Sequence, residues 1–102
     1  MVEPQGVLGV LKKLSLRGYT KDFKSAPNTL ILNPDGIEII PEELVVDAIY
    51  RFEGQTDLDD EEIIFALSYP KLDIKGTYLV AFGPMMDPQD SAMVLRLKKL
   101  KH

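Results

Sequence analysis

The chain has 102 residues, 45% of them apolar and 27% charged, with a formal net charge of −4 and no cysteine. That length bounds one domain, residues 1–102, with a modest core; the lack of cysteine excludes a disulfide framework, thiol chemistry and any cysteine-based metal site. The acidic balance argues against nucleic acid as a partner, because phosphates need clustered Lys and Arg.

The N-terminal run supplies the first element. Val7, Val10, Leu11 and Leu14 recur at helical spacing, with Leu8 beside them, and predict a helix over residues 4–17. Pro4 suits its first turn and Gly18 its C-terminal stop. Gly6 and Gly9 each weaken it by about 1 kcal/mol relative to Ala, so it must hold by packing. Residues 19–25 alternate weakly, as an edge strand would, before Pro27 breaks the chain.

Residues 29–40, TLILNPDGIEII, place two β-prone runs around a turn, with Pro34 pre-set for it and Gly36 free to take the left-handed conformation. Pro41 to Leu44 reads as a corner or single helical turn. From Val45 to Glu53 the alternation is clear: Val46, Ala48, Tyr50 and Phe52 share one face, Val45, Asp47, Ile49, Arg51 and Glu53 the other. Residues 62–69 direct Ile63, Phe65, Leu67 and Tyr69 one way and Ile64, Ala66 and Ser68 the other. Residues 76–83 set Tyr78, Val80 and Phe82 against Thr77, Leu79 and Ala81 after a short connector, which predicts an antiparallel hairpin. A final helix starts with Asp87 as cap and Pro88 at its first position, and ends in Arg96, Lys98, Lys99 and Lys101. Strands that follow one another without intervening helices predict an α+β fold. The expected architecture is an antiparallel sheet of four to five strands, with the N-terminal and C-terminal helices packed on one face.

The chemistry-bearing motifs are few. VVDAIYRFEGQTDLDDEE, residues 45–62, ends in an acidic cluster that fails the EF-hand template, since its sixth and twelfth positions from Asp57 are Glu62 and Ser68. Asp57, Asp59 and Asp60 could hold a hard cation such as Mg²⁺ or Ca²⁺, but a solvated turn between strands is the simpler reading. Arg51 stands near Glu53 and Asp47 on one strand face; a cross-strand ion pair is the bland reading, and contact of Tyr50, Arg51 and Glu53 with a ligand or partner the sharper one. No phosphate loop is present. The only histidine is His102, the last residue, so no Ser–His or Cys–His catalytic pair can stand on a stable frame. No catalytic residue is singled out: a carboxylate pair could act as acid and base, but nothing in the sequence brings two together, and the chain reads more readily as a non-enzyme.

LKKLSLRGYTKDF, then PEELVVDAIYRFEGQTDLDDEEIIFAL, then IKGTYLVAFG before the helix at Asp87–Pro88 together resemble a small bacterial family of unassigned activity. It shares RGYT-x-DF, YRFEG with an Asp-rich turn, and KG before an apolar strand, and some members are labelled phosphoribosylpyrophosphate synthetase. The resemblance covers most of the chain and implies a compact bacterial domain without supplying catalytic residues. The flexible ATP loop and the acidic phosphoribosyl loop of true synthetases have no counterpart here.

Two functional expectations follow. One is a non-enzymatic interaction module, joined to a protein partner or to itself as a homodimer. It rests on Ile49, Ile64, Leu79 and Val45, an outer sheet face too apolar for solvent. The other is a small-molecule or metal binder, nucleotide- or sugar-phosphate-related, using Arg51 and the Asp57–Asp60 loop. MVEPQGVLGV lacks the basic and long apolar regions of a signal peptide, and no run nears the ~20 apolar residues of a membrane span. The expected setting is therefore the cytoplasm, without membrane contact.

Overall fold

The computed structural model describes residues 6–53, 61–83 and 86–101, with the Glu53 and Phe82 side chains outside the description. In chain order these form α1 (Val7–Leu16), β1 (Lys21–Ala26), β2 (Thr29–Asn33), β3 (Ile37–Ile39), a 3-10 turn at Pro41–Glu43, β4 (Val45–Glu53), β5 (Glu61–Tyr69), a 3-10 turn at Pro70–Leu72, β6 (Ile74–Phe82) and α2 (Pro88–Leu100). The fold is α+β, and the strands make one six-stranded sheet in the order β3-β2-β1-β6-β5-β4.

Four expectations are corrected. The first is the strand count: the sheet has six strands, not four to five, because residues 21–39 supply three short strands of their own. The sheet is mixed: β1 runs parallel to β6 through Lys21↔Gly76 and Asp22↔Thr77, while every other pair is antiparallel. Residues 19–25 give no edge strand, since β1 lies third in the sheet. A two-residue turn at Pro27–Asn28, with Asn28 at φ 66°, folds β2 back onto it. The fourth correction is that the helices lie on opposite faces. Met93, Val94 and Leu97 of α2 pack with Phe23, Leu30, Leu32, Ile63, Phe65, Leu67 and Tyr78. Val10 and Leu14 of α1 pack with Ile64 and Ala66, which point the other way from β5. β5 is buried on both sides, and its unbroken apolar run, IIFAL, is the sequence mark of that position.

The sheet curls around α2. Its two edges, β3 and β4, are joined by only Ile40–Leu44. That link reaches at most about 20–22 Å, whereas five flat inter-strand spacings span about 24 Å. Curling brings the edges together over the concave face, and Leu44 and Val46 enter the α2 core. Arg96 of α2 bonds across it, to Glu42 at 2.6 Å and to the Asn28 carbonyl at 2.9 Å.

Local signals were obeyed where backbone chemistry set them. Asp87 caps α2 by accepting from the Gln89 N–H at 3.0 Å, with Pro88 at the first position. α1 ends in a Schellman motif: Tyr19 N–H donates to the Leu14 carbonyl at 2.9 Å and Gly18 N–H to that of Ser15 at 3.1 Å, with Gly18 at φ 102°. Gly36 takes φ 74° in the β2–β3 turn.

One side-chain pattern changed. The β4–β5 register shifts between Val46 and Ala48. That bulge puts Val46 opposite Leu67 in the α2 core, while Ala48, Tyr50 and Phe52 lie on the α1 side. Strict alternation would have kept all four together.

Candidate functional site

The convex side of the sheet is thinly covered. α1 packs mainly over β5 and β6, and its apolar residues exceed what that contact hides: Leu8 is 82% exposed and Leu16 80%. Between the C-terminal half of α1 and β4 runs an open groove of about 780 Å³. Its helix wall is Val10, Leu14 and Leu16, and its floor is Tyr50 and Phe52, both half-buried. Lys13 and Arg17 rise on the helix rim. Ile49 and Arg51 border the open side.

Among the described residues β4 is an edge strand, paired only with β5. Among the described residues it makes no other main-chain hydrogen bond. Its outer row of N–H and C=O groups therefore borders the groove, where a further strand could pair. The bulge at Asp47 limits how far such pairing could extend toward the start of β4. There Asp47 Oδ2 accepts from Tyr19 OH at 2.7 Å and from the Ser68 hydroxyl, pinning the end of α1 to the bulged strand. Partial burial, then the bond to Asp47, raises the Tyr19 phenol above its ordinary pKa. The Lys75 ammonium lies 5.3 Å from the Tyr19 ring centroid.

Charge around the groove is asymmetric. α1 carries Lys12 and Lys13, with Arg17 at its C-cap, and no acid. Among the described residues neither Lys13 nor Arg17 pairs with a carboxylate. Arg51 is engaged: its Nη2 donates to both carboxylate oxygens of Glu61, at 3.0 and 2.8 Å. Its register partner Ile63 belongs to the α2 core, so the guanidinium serves the far face as a cross-strand ion pair.

Of the residues singled out from sequence, Tyr50 and Arg51 both border the groove, Tyr50 as floor and Arg51 as edge. Glu53 ends β4, with its side chain outside the described residues, as are Asp57, Asp59 and Asp60 entirely. Among the described residues no group of three or more His, Cys, Asp or Glu is placed to hold a metal ion. The argument from an apolar outer face also changes. Ile64 is fully buried beneath the chain's own α1 and Ile49 packs against the α2 core, leaving Leu79 and Val45 as its exposed members. Sequence reasoning missed the helix side of the site, although Leu16, off the buried stripe of an acid-free helix, was its signal.

A second polar cluster lies at the start of α2. Asp90 Oδ1 accepts from Ser25 Oγ at 2.5 Å and from Tyr78 OH at 2.6 Å, and Gln89 Nε2 donates to the Ser25 carbonyl at 3.0 Å. Burial, then the bond to Asp90, pushes the Tyr78 phenol far above its ordinary pKa. Gln89 Nε2 also donates to Ser25 Oγ at 3.2 Å, so the cluster ties α2 to β1 and β6. No family model, curated protein or solved structure matches the chain. No helix among the described residues is long and apolar enough to cross a membrane.

Proposed function

We propose that this chain is a non-enzymatic interaction module that takes an extended segment of a protein partner along β4, under the rim of α1. The observation that carries the reading is the coincidence of a strand edge unpaired among the described residues with an apolar groove of about 780 Å³. A partner strand would complete the ladder at β4 and set alternate side chains over Tyr50 and Phe52, the mode by which sheet edges recruit peptides. Self-association through the same edge is less well supported. A two-fold pairing of β4 with its copy would set both α1 helices on the same face, with their Lys13 and Arg17 flanks turned toward each other.

The test is a selection of random ten-residue peptides on the immobilised protein, with enriched peptides mapped by amide chemical shifts. The reading predicts enriched peptides that compete with one another and perturb residues 10–17 and 48–52. No enrichment, or perturbation centred on the β3 edge, would contradict it. Mass in solution, measured alongside, separates the partner from a second copy. A monomer is expected.

A further inference from the structure

The groove rim carries a charge pattern that its apolar floor does not require. On a chain with net charge −4, the only charged side chains that α1 brings to the rim of this site are cations. Lys13 and Arg17 are a turn apart on the same flank, both solvent-exposed and both bordering the groove. Among the described residues, two acids at the margins are engaged elsewhere: Asp47 with Tyr19 and Ser68, Glu61 with Arg51 on the far face. Glu62, opposite Phe52, shares the groove's side of the sheet and forms no ion pair with either cation.

Resting on the reading of β4 as a docking edge, we infer that the segment it takes is acidic. On the side facing α1 the segment carries a large apolar side chain and, two positions along, a carboxylate. The alternation of a strand allows this pairing of roles. Residues two apart lie on one side, so the apolar group enters the groove over Tyr50 and Phe52 while the carboxylate reaches the Lys13–Arg17 rim. Arg17 can fork onto it and Lys13 can approach as a point charge. An anionic bilayer would also attract this helix through Leu8, Leu16 and the cations. It would leave the main-chain edge of β4 without hydrogen-bonding partners, so the peptide is the better match.

The probes are three seven-residue peptides with blocked ends: Thr-Leu-Thr-Glu-Thr-Leu-Thr, and the same with Gln or Lys in place of Glu. Affinities are read by fluorescence anisotropy against the parent protein, the double variant Lys13→Glu with Arg17→Glu, and the control Lys24→Glu on the other half of the sheet. The acidic peptide should bind the parent at least ten-fold more tightly than the Lys peptide, as expected when two exposed ion pairs become repulsions. The double variant should invert that order, Lys24→Glu should leave it unchanged, and added salt should shrink it. Unchanged thermal melting of the double variant shows that the fold is intact. Equal binding of all three peptides at β4 would overturn the inference while leaving the docking edge standing. If none binds, and vesicles containing one-third phosphatidylglycerol capture the protein through Leu8 and Leu16, the inference is overturned together with the reading beneath it; binding to neither has the same consequence.

Discussion

Replacing Gly76 with alanine places a methyl group where β1 and β6 come closest. A Cβ at that position would stand 2.5 Å from the Lys21 carbonyl oxygen, 2.8 Å from the Lys21 carbonyl carbon and 2.8 Å from Phe23 Cε2. Ordinary contact begins near 3.4 Å, so the main chain of β1 must retreat by about 1 Å. Only two residue pairs, Lys21↔Gly76 and Asp22↔Thr77, register β1 against β6. The retreat therefore strains the one seam that joins the β3-β2-β1 half of the sheet to the β6-β5-β4 half. Overpacking of this kind costs about 1–3 kcal/mol, and weakened hydrogen bonds at the seam add about 1 kcal/mol. A loss of about 2–4 kcal/mol is large against the ~5–15 kcal/mol of a small domain, and corresponds to a drop of roughly 10–25 °C in midpoint. Thermal unfolding followed by circular dichroism reads it directly. Gly9→Ala is the counter-experiment: beyond the adjoining helix backbone nothing lies within 4 Å of its would-be Cβ, so the substitution should stabilise α1 by about 0.5–1 kcal/mol. A Gly76→Ala protein that melts within 2 °C of the parent would refute the reasoning about the seam.

Other outcomes follow from the same contacts. Asp90→Ala strands the hydroxyls of Ser25 and Tyr78 in a part-buried setting, and should cost about 2–3 kcal/mol in urea titrations, more than Tyr78→Phe. The Tyr78 phenol is raised far above 10.0 in the fold. Its contribution to stability is thus complete below about pH 10 and is lost as pH rises beyond that, when the unfolded chain ionises first, by about 1.4 kcal/mol per pH unit. Tyr78→Phe should flatten that alkaline slope between pH 9.5 and 11. Arg51→Ala should change stability by less than about 1 kcal/mol, since its bond to Glu61 is exposed; a larger loss would give Arg51 a structural weight that the ion pair does not explain. Gly18→Ala forces a residue with a Cβ to φ 102° and should shorten α1 in amide exchange, at a cost of about 1 kcal/mol or more.

What could be read from the sequence was what local chemistry decides. The Asp87–Pro88 start of α2, the Gly18 stop of α1 and the Asn33–Gly36 turn each rest on backbone constraints carried by single residues, and each stands where expected. Strand order was not legible, because the parallel seam between β1 and β6 is made by residues more than fifty positions apart and leaves its mark only as a bare glycine at position 76. The bulge at Asp47 was hidden for a related reason: VVDAIYRF alternates regularly, and the extra residue shows only against its partner strand. The site was half legible. Tyr50 and Arg51 stood out as part of an unusual strand, yet Lys13, Leu16 and Arg17 looked like an ordinary helix surface until the fold set them beside β4.

The most direct test of the docking edge is an amide spectrum of the ¹⁵N-labelled protein titrated with the acidic peptide. The account predicts shifts confined to residues 10–17 of the α1 region and 48–52 of β4, together with slowed exchange of β4 amides as its outer row gains partners. Shifts that leave β4 untouched, or that centre on the β3 edge, would contradict it.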